Sequence, residues 1–227
     1  MKEFLHKYRH AWVVAAYMPV YMVWWMWLEN RKDVIYHPVE TALDEIIPFT
    51  EVFIVPYLLW FVYVAGVVAL FFLKDRESYY KSCAFLFIGM TVCLVIYTIW
   101  PNVQLLRPTT LPRRNIFTKL VSLIYASDTS TNVCPSIHVY NSIGVHIAVI
   151  KSRLFKDNRK VHIASAILMV SICLSTVFLK QHSCFDGACA VLLSFIMYLI
   201  VYVPDYKGAY ERRTARALAD NDGRKTA

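Results

Sequence analysis

Cys134-Pro135-Ser136-Ile137-His138 and Lys180-Gln181-His182-Ser183-Cys184-Phe185-Asp186 bracket two apolar segments joined by a basic loop, 151–160. If both segments cross a bilayer, the chain goes down, turns and comes back, so His138 and His182 finish at the same face. Two histidines, a serine and an aspartate then lie in one layer. This hairpin decides the fold class: all-α, a polytopic membrane protein.

Composition agrees. Of 227 residues, 58% are apolar and 18% charged, and the charges bunch between long uncharged runs. Soluble domains spread their charges, whereas membrane proteins segregate them. A formal charge of +8 raises nucleic acid as a partner, but the basic residues sit in short loops between apolar runs, not on one solvated surface. That is the pattern of topology signals, so no nucleic-acid partner is expected. The six cysteines show neither the paired spacing of a zinc site nor the density of a disulfide scaffold.

Six transmembrane helices are expected, at 11–28, 52–73, 82–100, 135–150, 162–179 and 184–203, within one membrane domain covering 1–204. Trp24, Trp25 and Trp27 close the first as an aromatic belt, and Pro19 predicts a kink in it. Loop 29–51 is acidic, with an interfacial turn or short helix at 44–49. A short loop follows the second span at Lys74, Asp75 and Arg76, with Lys81 counted beside it. Loop 102–133 is long enough to suggest function, and its inner part, 117–125, reads as a short helix lying on the membrane. The tail, 205–227, is charged.

Seventeen of the 24 Lys and Arg residues fall on the side holding the N-terminus, the loops near 74–81 and 151–160, and the tail. Both termini are therefore expected in the cytoplasm, with the histidine pair at the extracytoplasmic face of the plasma membrane. Arg107, Arg113, Arg114, Lys119 and Lys180 share that outer side.

The chemistry follows from residue types. Pro135 suits the first turn of a helix, whose free N–H groups, with the Ser136 hydroxyl, make an anion site. Arg107 can clamp a phosphate with two N–H groups, and Lys180 adds a point charge close to His182. If the last helix starts at or before His182, then His182 and Asp186, one turn apart, share a face. A carboxylate on one ring nitrogen fixes the tautomer and frees the other to attack, making His182 the candidate nucleophile. His138 is the candidate acid and base. No metal or cofactor is called for. His146, with Asn141 and Ser142, reads as interhelical hydrogen bonding.

Arg107-Pro108, Pro135-Ser136-Ile137-His138 and Ser175-Thr176-x5-His182-x3-Asp186 together resemble the three-part signature of the type 2 phosphatidic acid phosphatase superfamily: K-x6-R-P, P-S-G-H and S-R-x5-H-x3-D. The resemblance spans roughly 100–186. It implies a metal-independent lipid phosphatase working through a phosphohistidine on His182. Asp186 would orient it, His138 would act as acid and base, and Arg107 and Ser136 would hold phosphate. Trp100, Ile137 and Thr176 stand where the family has lysine, glycine and arginine. Two phosphate-binding cations are thus missing, with Lys180, Arg113 or Arg114 as candidate replacements. Two rival readings follow: a lipid phosphotransferase resembling the sphingomyelin and inositol phosphorylceramide synthases, and a non-catalytic binder of lipid head groups.

Overall fold

The computed structural model describes residues 8–204. The expected tail and the first cations, Lys2 and Lys7, lie outside them. Eight α-helices account for nearly all regular structure: α1 (Trp12–Glu29), α2 (Ala42–Ile46), α3 (Ile54–Lys74), α4 (Arg76–Ile99), α5 (Ile116–Ser127), α6 (Ile137–Lys151), α7 (Arg159–Phe178) and α8 (Cys184–Val201). Two short strands, β1 (His37–Pro38) and β2 (Asn102–Val103), and three short 3-10 helices complete it among the described residues.

Five helices, those containing α1, α3, α4, α7 and α8, are long and apolar enough to cross a membrane. The remaining expected span is α6. At 15 residues it runs only about 22 Å, short of a ~30 Å hydrocarbon core. The reason is in its composition and position: α6 sits inside the bundle, against α3, α4, α7 and α8, and carries polar groups that lipid would not tolerate. His146 Nδ1 lies 2.9 Å from Ser165 Oγ on α7, which lies 2.6 Å from the Tyr63 hydroxyl on α3. That chain satisfies the polar atoms internally, as the sequence led one to expect for His146. Ser142 instead bonds within its own helix, to the His138 carbonyl.

Close approach of α4 and α6 rests on two glycines. A Cβ at Gly89 would meet the Tyr140 ring at 2.0 Å, and one at Gly144 the Phe85 ring at 2.5 Å. Tyr140 then donates to the Phe85 carbonyl at 2.6 Å, locking the two helices in register.

The boundary between α3 and α4 differs from expectation. α4 starts at Arg76, because Asp75 accepts the Ser78 N–H as an N-cap, so the turn after α3 is a single residue. Lys81 is inside that helix, paired with Glu77 at 2.9 Å. Pro19 lies within the continuous α1.

The helices sort their ends. His10 meets the Phe72 carbonyl and Ser152 donates to Asp75, gathering the start of α1, the α3–α4 turn and the α6–α7 connection at one pole. At the other pole lie the three long connections and the turn before α8. There β1 pairs in parallel with β2, and Val103 bridges Thr131, stitching the connections together.

Candidate active site

α8 begins at Cys184, not at His182. Ser183 is its N-cap: Ser183 Oγ accepts the Asp186 N–H at 3.1 Å, and Asp186 Oδ2 accepts the Ser183 N–H at 2.9 Å. His182 is therefore in the turn before the helix. It still faces Asp186, with Nδ1 3.3 Å from Oδ2. One fully buried carboxylate thus closes a capping box and holds an imidazole. The other ring nitrogen, His182 Nε2, lies 3.2 Å from His138 Nδ1 in the first turn of α6. His138, His182 and Asp186 form one connected line.

The turn carrying His182 is fixed from outside the bundle. Lys180 takes a left-handed backbone (φ 53°) and its ammonium donates to the carbonyls of Asp44 and Ile47. Asp44, at the end of its own capping box with Thr41, accepts the Cys184 N–H at 2.7 Å. Burial alone would push the Asp44 carboxyl up, but the N–H of Cys184 and the hydroxyl and N–H of Thr41 outweigh it, so its pKa falls below the ordinary value. Gln104 donates to the Lys180 carbonyl, Tyr125 to that of Leu179. On the α6 side, buried Asn102 accepts the N–H groups of Val133 and Cys134 and donates to the Cys134 carbonyl, while Ser136 N–H reaches the Asp186 carbonyl. Those bonds tie the two histidine-bearing segments to one another.

The expected phosphate holders behave differently from the expectation. Lys180 spends its charge on the two carbonyls just named, so it serves the turn and not the site. Arg113 pairs with Glu51 at 3.0 Å. Ser136 is fully buried as the N-cap of α6, its Oγ accepting the Val139 N–H. Arg107 reaches the neighbourhood, donating to Gln181 Oε1 at 2.7 Å, but its terminal nitrogens also donate to the carbonyls of Tyr125, Asp128 and Thr129. Its guanidinium also stacks over Tyr125, 4.6 Å from the ring centre. The loop carbonyls and Gln181 thus take its terminal N–H groups, while the buried Nε has no partner. Burial also pulls the Arg107 pKa down from its ordinary value, with Asp128 opposing. Arg107→Lys keeps the charge but cannot reach that set of acceptors, so it should lower stability by ~1–3 kcal/mol. A fall in Tm of the purified protein checks this; an unchanged Tm would mean the carbonyl contacts carry no weight.

His138 and His182 both line a cavity of about 290 Å³. On one side its wall is aromatic: the His138 ring lies 4.8 Å from Tyr57 and 4.5 Å from Trp60, centre to centre. On the other it is polar, with Glu29, Asp128, Asn132 and Gln181. Glu29 accepts from Asn132 and from the Thr129 hydroxyl. Burial pushes the Asp128 carboxyl up, with His182 and Arg107 drawing it partway back. Among the described residues, no three His, Cys, Asp or Glu side chains converge as metal ligands.

No family model, curated protein or solved structure matches this chain.

Sequence reading missed Asp44, Asn102, Gln104, Gln181, Glu29 and Asp128. Two signals were available. Thr41-x-x-Asp44 and Ser183-x-x-Asp186 both carry the capping-box pattern, which marks the short helix and the start of α8. The others act through contacts distant in sequence, and no local pattern announces them.

Proposed function

We propose that this chain is an integral-membrane enzyme that removes phosphate from a lipid phosphate monoester or diphosphate, by way of a phosphohistidine on His182. The observation that carries the reading is the line from His138 through His182 to Asp186 at the wall of a cavity. The signature resemblance points the same way.

With Nδ1–H donated to Asp186, the His182 Nε2 lone pair is free to attack phosphorus. It now faces His138, so a bound phosphate takes the place of that contact. As the P–O bond to the lipid breaks, His138 gives its proton to the leaving oxygen. His138 then takes a proton from water, which attacks the phosphorus; the P–N bond breaks, and phosphate and neutral His182 are restored. Because Arg107 holds loop carbonyls, phosphate binding would be coupled to rearrangement of the connection that carries it.

A second reading has its own support. Glu29 and Asp128 in the cavity wall disfavour a phosphate dianion more than a singly charged diester. They favour a phosphotransferase that passes a phosphorylated head group to an alcohol. Purified protein given a panel of lipid phosphates and diesters, with and without a long-chain alcohol, separates the two. Free phosphate from monoesters supports hydrolysis; a new diester made only when alcohol is present supports transfer. No product from any of them would contradict both.

We read the histidine pole as extracytoplasmic and the membrane as the plasma membrane. The support is charge: Lys74, Arg76, Lys151, Arg153, Lys156, Arg159 and Lys160 all belong to the opposite pole. A reporter inserted in the 108–114 loop should be accessible from outside the cell, and one fused after Ala227 should not. The reverse pattern would turn the site toward the cytoplasm.

A further inference from the structure

The histidine cavity continues into the membrane region. A second cavity of about 500 Å³ runs between α1 and α3, and the two share Tyr21, Trp25, Trp60, Phe61 and Ile137 in their walls. α1 is held to α4, where Tyr17 donates to the Phe87 carbonyl and Trp24 to Thr98, so the side toward α3 is left as a groove. Its deeper wall is apolar, with Val14 and Met18 from α1, Ala65 and Val68 from α3, and Met90 from α4. From Trp25 down to Val14 the groove follows α1 for about 16 Å. Such a channel fits an extended hydrocarbon chain lying along the bilayer normal.

Polar groups meet it near the histidine end, among them the unpaired Trp60 indole N–H and one unpaired acceptor. Asn141, on α6 one turn beyond His138, lines the groove, is 2% exposed, and its Oδ1 has no hydrogen-bond partner. A buried acceptor left unpaired costs about as much as a lost hydrogen bond, so a ligand that supplies the donor gains that difference. A hydrocarbon chain cannot supply it. A hydroxyl or amide N–H close to the phosphate end of a lipid can.

Resting on the reading that a lipid phosphate meets the histidine pair, we infer that the α1–α3 groove holds the chain of that lipid, and that Asn141 accepts a hydrogen bond from a hydroxyl or amide N–H next to its phosphate-bearing carbon. The lipid reaches the histidines sideways from the bilayer, phosphate toward His182 and chain along α1. The preferred class is then a lipid phosphate with a donor in its backbone, over one linked only through esters.

A lipid phosphate carrying a mid-chain diazirine tests this without relying on turnover. In bilayer nanodiscs, ultraviolet labelling followed by peptide mapping should mark Met18, Ala65 and Met90. Excess unlabelled lipid phosphate should compete, and the same lipid lacking phosphate should not. Ala65→Trp fills the groove, and since each methylene displaced costs about a fourfold factor, labelling should fall about tenfold or more. Label confined to the lipid-facing surfaces, or competed equally by phosphate-free lipid, would overturn the groove as the chain site. A chain-matched amide- and hydroxyl-bearing lipid phosphate should compete about three- to tenfold better than a diester-linked glycerol phosphate, a preference that Asn141→Leu removes. Equal competition in the unmodified protein would overturn the role of Asn141. His182→Ala should keep the groove labelling. If groove labelling holds while no lipid yields phosphate or a transfer product, the reaction assigned to the site fails and the groove stands.

Discussion

His182→Ala is expected to lose turnover by on the order of 10^4-fold or more, because it removes the atom that bonds to phosphorus in both halves of the reaction. His138→Ala should behave differently. It takes away the proton donor and later the base, each worth ~10^2 to 10^4-fold. With a substrate whose leaving group needs little protonation, phosphate should still reach His182 and then stay there, because water lacks a base. The two variants therefore separate by substrate: the first fails with every leaving group, the second recovers its first step with a good one. Burst kinetics with activated and ordinary phosphate esters check this. A burst in His182→Ala would assign the nucleophile elsewhere.

Asp186 offers the second large effect, because it holds two jobs in one carboxylate. It accepts the Ser183 N–H as part of the capping box at the start of α8, and it lies 3.3 Å from His182 Nδ1. Both contacts use the same oxygen, Oδ2, so Asp186→Asn keeps them with its amide oxygen there but loses the negative charge that stabilises the imidazolium as His182 attacks phosphorus. Rate should fall ~10^3 to 10^4-fold, with Tm nearly unchanged. Asp186→Ala removes both functions and should also lose ~1 kcal/mol of helix stability. Rates and melting curves on the pair read these apart. If Asn and Ala lower Tm equally and rate slightly, Asp186 is a cap and little else.

How far the sequence alone carried varies along the chain. Long apolar runs announced α1, α3, α4, α7 and α8, because a span must satisfy every backbone group internally and so must be long and uninterrupted. α6 carried a weaker signal: inside the bundle its Asn141, Ser142 and His146 need no lipid compatibility. His138, His182 and Asp186 were legible because one spacing brings two of them together and the hairpin delivers the third. The route differed in one respect, since Ser183 caps the helix and places His182 before it. Lys180 and Arg107 were the least legible. A cation in an outer loop looks the same in sequence whether it will hold a phosphate or a backbone carbonyl. Only the docking of residues 41–50 and 125–129 onto the turn reveals the second use.

The proposed reaction requires a covalent bond between His182 and phosphorus. A rapid quench of the purified protein with a labelled lipid phosphate, followed by digestion, should place an acid-labile, alkali-stable label on the peptide containing His182, absent from His182→Ala; in His138→Ala the label should be prolonged when an activated phosphate ester supplies it. Label that survives in His182→Ala, or that appears on the His138 peptide in its place, would contradict it.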